Sequence, residues 1–114
     1  MELFPTHTEF LDFFQVEPTR ADENVPWAYT RLNFSVVLGD DKLECLIDNP
    51  QLEIRWFRRD NELAFLSFCS VQQLRIQEYP GGKWLVAQGV GLKQELTFRL
   101  QLRPRIHISL MSSQ

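Results

Sequence analysis

Alanine, lysine, histidine and cysteine are all scarce in this chain of 114 residues, which holds four, three, two and two of them. So little alanine beside a large joint share of Phe, Val, Ile, Thr, Tyr and Trp, led by nine Phe, disfavours a helical protein and suits the pleated, half-buried surface of a sheet. No apolar run approaches the ~18 residues needed to span a bilayer. Met1 is not followed by a basic-then-apolar leader. A membrane span, a secretory signal, a collagen-like chain and a repeat array are therefore not expected, and the expected location is the cytoplasm. With 44% hydrophobic and 24% charged residues, the chain reads as one domain, residues 1–114, large enough to bury a core without a disulfide or a metal.

The two thiols carry no signature of their own. Cys45 and Cys69 stand in apolar surroundings with neither CxxC nor Cys/His spacing, and neither local segment supplies an activating base or cation. Both are expected to be reduced, buried and inert. Two histidines and two cysteines scattered over the chain have no paired ligand spacing, so no zinc or other metal is expected. The phosphate cradle, the dinucleotide fingerprint and the G-x-S-x-G nucleophile turn are all missing, and no cofactor is expected. Asn33-Phe34-Ser35 matches a glycosylation sequon but falls within an expected strand.

What is present alternates. A short helix is expected over residues 8–15, capped by Thr8, with Glu9 in its first turn and Phe10, Leu11, Phe13 and Phe14 as an apolar stripe. Residues 17–26 form a polar, acidic loop bracketed by prolines, and residues 27–111 read as antiparallel β structure. Trp27 stands at the start of the first strand. Leu32, Phe34, Val36 and Leu38 alternate, as do Leu43, Cys45 and Ile47 beyond Gly39-Asp40-Asp41. With Asp40-Asp41 at the tip, Phe34 would face Ile47 and Val36 would face Cys45. Leu52, Ile54 and Trp56 continue the pattern, and Asp60-Asn61 turns the chain. Leu63 to Cys69 is apolar on both faces, as in a central strand covered twice. Leu74 and Ile76 lead through Pro80-Gly81-Gly82 to Leu85 and Ala87, and Gly89 and Gly91 loosen the next connection. A turn centred on Pro104 pairs Leu100 with Ile108 and Phe98 with Leu110. The fold class is mainly β: an antiparallel sandwich or partly closed barrel of about 7–8 hairpin-linked strands with one short N-terminal helix. Phe34, Val36, Cys45, Ile54, Trp56, Phe65, Phe98, Leu100 and Ile108 are its expected interior.

The inventory for catalysis is thin, and no catalytic residue is assigned. Asp40-Asp41 belongs to a turn and Asp22-Glu23 to a wet loop, and neither has a reason for the raised pKa that a general acid needs. Charge is more informative. Residues 1–54 hold 11 acids and 3 bases, net −8, whereas residues 55–114 hold 4 and 9, net +5. Such a split marks an interaction surface if the halves stay apart in space, and nothing if they interleave. Arginine outnumbers lysine nine to three. Opposite the apolar set lie Arg55, Arg75, Arg99, Arg103 and Arg105, with Gln77, Gln101 and His107 beside them. Tyr79 is expected opposite Trp84 on the face of Arg75. Arginine, tyrosine and tryptophan are the usual energetic anchors of protein interfaces. Arg75, Tyr79, Trp84, Arg99, Arg103, Arg105 and His107 are the interface candidates, against the plainer reading of a solvated sheet face.

The all-β chain, with polar sheet faces and a closing F-x-L-x-L-x-P-x-I-x-I strand pair (Phe98 to Ile108), resembles small immunity proteins that neutralise toxins by binding. The resemblance transfers no individual residue; it implies a docking function. The reading is a non-catalytic protein-binding module, most concretely of immunity or inhibitor type, whose partner is another protein. Self-association through strand edges is an alternative. So is a small-ligand-binding barrel or an enzyme using scattered carboxylates. Single-stranded nucleic-acid binding is the lesser alternative, because the pI is 5.3 and no lysine-rich track or RNP-like run occurs.

Overall fold

The computed structural model describes residues 3–90 and 95–113. Its single α-helix, α1, spans His7–Phe14 and is capped by Thr6, two residues before the expected Thr8. The Thr6 hydroxyl accepts from the Glu9 amide at 3.2 Å, and the Glu9 carboxylate accepts from the Thr6 amide at 3.0 Å. This reciprocal box satisfies two orphan donors at once. A cap at Thr8 would place Leu11 where the box needs a carboxylate. Phe10, Phe13 and Phe14 are buried, and Gln15 in the left-handed region (φ 59°) ends the helix. Trp27–Tyr29 form a 3-10 turn instead of opening a strand, with the amides of Tyr29 and Thr30 both donating to the Pro26 carbonyl.

Among the described residues there are nine strands: β1 (Thr19–Arg20), β2 (Leu32–Leu38), β3 (Asp41–Asp48), β4 (Gln51–Arg58), β5 (Asn61–Phe68), β6 (Val71–Tyr79), β7 (Gly82–Val90), β8 (Glu95–Gln101) and β9 (His107–Ser113). The one beyond the expected number is β1, two residues of the acidic loop that pair with β2. The strands make two antiparallel sheets, β1-β2-β3-β4-β5 and β6-β7-β8-β9, each a plain meander. The fold is a two-sheet sandwich and not a closed barrel. None of the described helices is long and apolar enough to cross a membrane.

Because each sheet is continuous in sequence, the charge asymmetry survives folding. Residues 1–69, which supply α1 and the five-stranded sheet, hold 13 acids and 6 bases, net −7. Residues 70–114, which supply the four-stranded sheet, hold 2 and 6, net +4. The two sheets exchange no strand, and the N-terminal half reaches the second sheet through the Leu3–Gln73 bridge and α1.

The first hairpin turns at Gly39-Asp40, with Gly39 at φ 63°, so that Phe34 pairs with Cys45 and Val36 with Leu43. This is two residues from the expected register, and a shift of two preserves the face of every side chain. The expected inward set is therefore correct although its partners are not. The turn centred on Pro104 is as expected, pairing Leu100 with Ile108 and Phe98 with Leu110. Gly89, expected to loosen a connection, instead lies inside β7, where a Cβ would meet the Ser70 carbonyl oxygen at 2.4 Å. It is small because the backbone of the crossing between sheets presses against it. Gly91 lies outside the described residues.

The core collects Phe34, Val36, Cys45, Ile54, Phe98 and Leu100 as expected, with Trp56 and Ile108 packed against it half-buried. Phe10 and Phe14 of α1 lie on Phe34, Phe14 at 4.1 Å between ring centroids, and Phe68 meets Phe98 across the two sheets. Two expectations fail together. The apolar strand β5 is an edge, and Phe65, expected inside, is 47% exposed on the outer face. A bulge at Trp56/Phe57 sets Ala64, Leu66 and Phe68 inward instead. Phe65 lies under Arg55, whose guanidinium stands 4.7 Å from the ring centroid. Cys69, at the end of that strand, is exposed and not buried, whereas burial holds the Cys45 thiol pKa far above its ordinary value. Ellman's reagent should therefore titrate one thiol in the native protein and the second only after unfolding. Two fast native thiols, or none, would contradict this placement.

Candidate protein-binding face

The outer face of the four-stranded sheet is built by period-two alternation from strands whose other face holds Leu74, Leu85, Phe98 and Leu100. Register sets its rows. Gln73 pairs with Gln88, Gln88 with Thr97 and Thr97 with Met111. The next row runs Arg75, Val86, Arg99, Ser109, and the one after begins with Gln77 opposite Trp84. Tyr79 pairs with Gly82 and not with Trp84, because the hairpin turns at Pro80-Gly81. The shift is again by two, so Tyr79, Trp84 and Arg75 still share a face. A Cβ at Gly82 would fall 2.6 Å from Gln101 Nε2, which donates to the Gly81 carbonyl at 3.0 Å. That contact draws the hairpin onto β8.

Trp84 and His107 meet edge to face at 5.2 Å between centroids, and the exposed Tyr79 hydroxyl donates to Gln77. Arg75 Nη1 donates to Gln73 Oε1 at 3.1 Å and to Gln88 Oε1 at 2.7 Å. Ion pairs among the described residues join Lys42 to Glu44, Arg58 to Asp41, Arg59 to Asp40 and Lys83 to Asp12, and the His7 ring hydrogen-bonds Glu17. None of them takes up Arg75 or Arg99.

Four of the seven interface candidates thus gather on two adjacent rows: Arg75, Arg99, Trp84 and His107. Tyr79 stands at the hairpin end of the same face. Arg105 is exposed in the turn before β9. Arg103 goes elsewhere: its Nη1 donates to the Phe13 carbonyl at 3.2 Å, one of the orphan acceptors at the C-terminal end of α1, where a cation also suits the helix dipole. Sequence alternation grouped Arg103 with the outward arginines and could not see the helix that folds against it. It also passed over Val86, Gln73 and Gln88. Val86 is apolar at an outward position, which is the one signal that could have marked it.

Elsewhere the chemistry is sparse. No group of three His, Cys, Asp or Glu side chains able to hold a metal occurs among the described residues. At the first hairpin, Asp41 accepts from Arg58 at 2.7 and 3.2 Å, and these hydrogen bonds, with the guanidinium charge, hold its pKa below the ordinary 3.8. A general acid needs the opposite displacement. A carboxylate with a depressed folded pKa contributes stability above its unfolded pKa and loses it as pH falls through the folded value. Urea melts from about pH 6 down to about pH 2 should therefore show a shallower acid decline for Asp41→Asn than for the parent chain. Identical slopes would remove the pair from the acid limb. An apolar groove of about 500 Å³ opens between β5 and β8, lined by Leu66, Phe68, Val71, Ala87, Leu96 and Phe98 among others, with no carboxylate, histidine or arginine among the described residues of its wall.

The sandwich has a counterpart of known structure. A chain of the contact-dependent growth inhibition toxin–immunity protein complex from Klebsiella pneumoniae 342 superposes with a TM-score of 0.84 at 17% identity, over 98% of this chain and 97% of that chain. At that identity the likeness is one of fold, from α1 through β9. No protein-family model and no curated protein sequence matches the chain.

Proposed function

We propose that this chain is a non-catalytic protein-binding module of immunity or inhibitor type, which docks through the outer face of its four-stranded sheet and works in the cytoplasm. The observation that carries the reading is the near end-to-end likeness of fold to a chain from a toxin–immunity pair. Of the two roles in such a pair, the immunity role suits a chain whose described residues offer no metal cluster and whose Asp40-Asp41 pair is engaged by Arg59 and Arg58. The anchors are Trp84, His107, Tyr79, Arg75, Arg99 and Arg105. The test is protection. Susceptible bacteria expressing this chain are mixed with cells that deliver the contact-dependent toxin of its own locus, and survival is counted. Survival equal to that of cells lacking the chain would exclude the reading. The groove beside β5 gives a small-ligand role its physical footing, and an apolar reporter dye that fails to bind there removes it.

A further inference from the structure

We infer that the row Arg75–Val86–Arg99 is a seat for the carboxylates of an acidic protein segment; this rests on the docking reading above and names the chemistry of its partner. Both arginines project from neighbouring positions of one row, their Cα atoms two strand spacings or about 10 Å apart. Between them Val86 is outward in phase yet only 1% exposed, and it stands apart from the core cluster. Its cross-strand partners on that face are Arg75 and Arg99, and its nearest same-face neighbours along β7 are Trp84 and Gln88. The two arginines thus flank a buried apolar side chain and are themselves only part-exposed, where an ion pair is screened less than in open water.

What holds the arginines is as telling as their position. The acceptors on Arg75 are two glutamine amide oxygens, which orient a guanidinium without cancelling its charge. No hydrogen bond to the Arg99 side chain is made among the described residues, and the Nε atoms of both arginines are enclosed without an acceptor. The other charged and titratable groups in phase with this face are Tyr79 at the hairpin end, His107 on the adjoining row and Glu95 at the far end of β8. Glu78 and Lys83 alternate to the opposite side, where Lys83 pairs with Asp12. Two guanidiniums without a carboxylate partner among the described residues present planar donor pairs that match carboxylates. A nucleic acid is the poorer fit. The positive charge is two spots and not a track, and the net −7 of residues 1–69 repels a long polyanion.

The probe is a fluorescein-labelled hexaglutamate peptide, titrated by anisotropy and by nitrogen–proton correlation spectra at about 20 mM salt, where screening is weak. The expected result is movement of the Arg75 and Arg99 Nε–Hε signals and the Val86 amide. Arg75→Gln and Arg99→Gln should each weaken binding by about five-fold or more, and Arg55→Gln on the other sheet should leave it unchanged. Movement confined to other residues, or indifference to both substitutions, overturns the inference. So does displacement of the peptide by hexauridylate at about one-tenth of its concentration, which assigns the face to nucleic acid. Survival assays separate the two claims. Loss of protection by the glutamine variants alone supports the seat. Full protection by both variants overturns it as a partner contact while the docking reading stands. Failure of the parent chain removes the docking reading, and the peptide titration then decides the seat by itself.

Discussion

Phe14→Ala is expected to destabilise the protein by ~3–5 kcal/mol, whereas Phe65→Ala should cost under about 1 kcal/mol. The two residues look alike in sequence, each an aromatic in an apolar run. Phe14 is fully enclosed, stacked on Phe34 and edge-on to Phe13, at the place where α1 meets the five-stranded sheet. Truncation there leaves a cavity whose walls are sheet and helix and cannot close freely. The loss is a large fraction of a total stability of about 5–15 kcal/mol. For a chain of this length it lowers the melting temperature by more than ~10 °C. Phe65 gives up a partly solvated contact with Arg55 at a sheet edge. Equal losses at the two positions, read from urea midpoints with unchanged slopes, would show that β5 is covered and not an edge.

Trp84→Ala should weaken partner binding by ~2 kcal/mol or more, about thirty-fold in Kd, with little change in melting temperature. The indole is half-buried on the outer face, against His107 and beside Val86, and it contributes nothing to the core cluster between the sheets. Arg103 provides the internal contrast. Arg103→Gln should lower stability by up to about 1 kcal/mol, through loss of its bond to the Phe13 carbonyl, and leave equilibrium binding alone. Charge reversal at Arg105 should mainly slow association, and more so at low salt, because an exposed rim charge acts on encounter. Isothermal titration and thermal melts on the same preparations distinguish these cases. A Trp84→Ala protein that melts many degrees lower and binds as before would make this tryptophan structural and the face merely solvated.

Period-two alternation is a local property, and it decided which side of each strand faces inward. Phe34, Val36, Cys45, Ile54, Phe98 and Leu100 were legible for that reason. So was the shared face of Arg75, Tyr79 and Trp84, since a hairpin slip of two residues changes partners without changing faces. The turn about Pro104 was legible down to its pairs. Strand order was not. Whether LAFLSFC is central or at an edge depends on what packs beside it, and a run that is apolar on both faces gives no alternation from which to read an inward side. Phe65 and Cys69 were misplaced on that account, and the bulge at Trp56/Phe57 that rotates β5 leaves no mark in composition. The charge split between the halves was plain in the sequence, but it acquired meaning only because each half closes into its own sheet. The division of the arginines was likewise tertiary: Arg103 meets the end of a helix 90 residues away, while Arg75 and Arg99 lie across a buried valine with no carboxylate among the described residues to neutralise them. Local pattern sets the direction of a side chain; only packing across the sandwich sets what it meets.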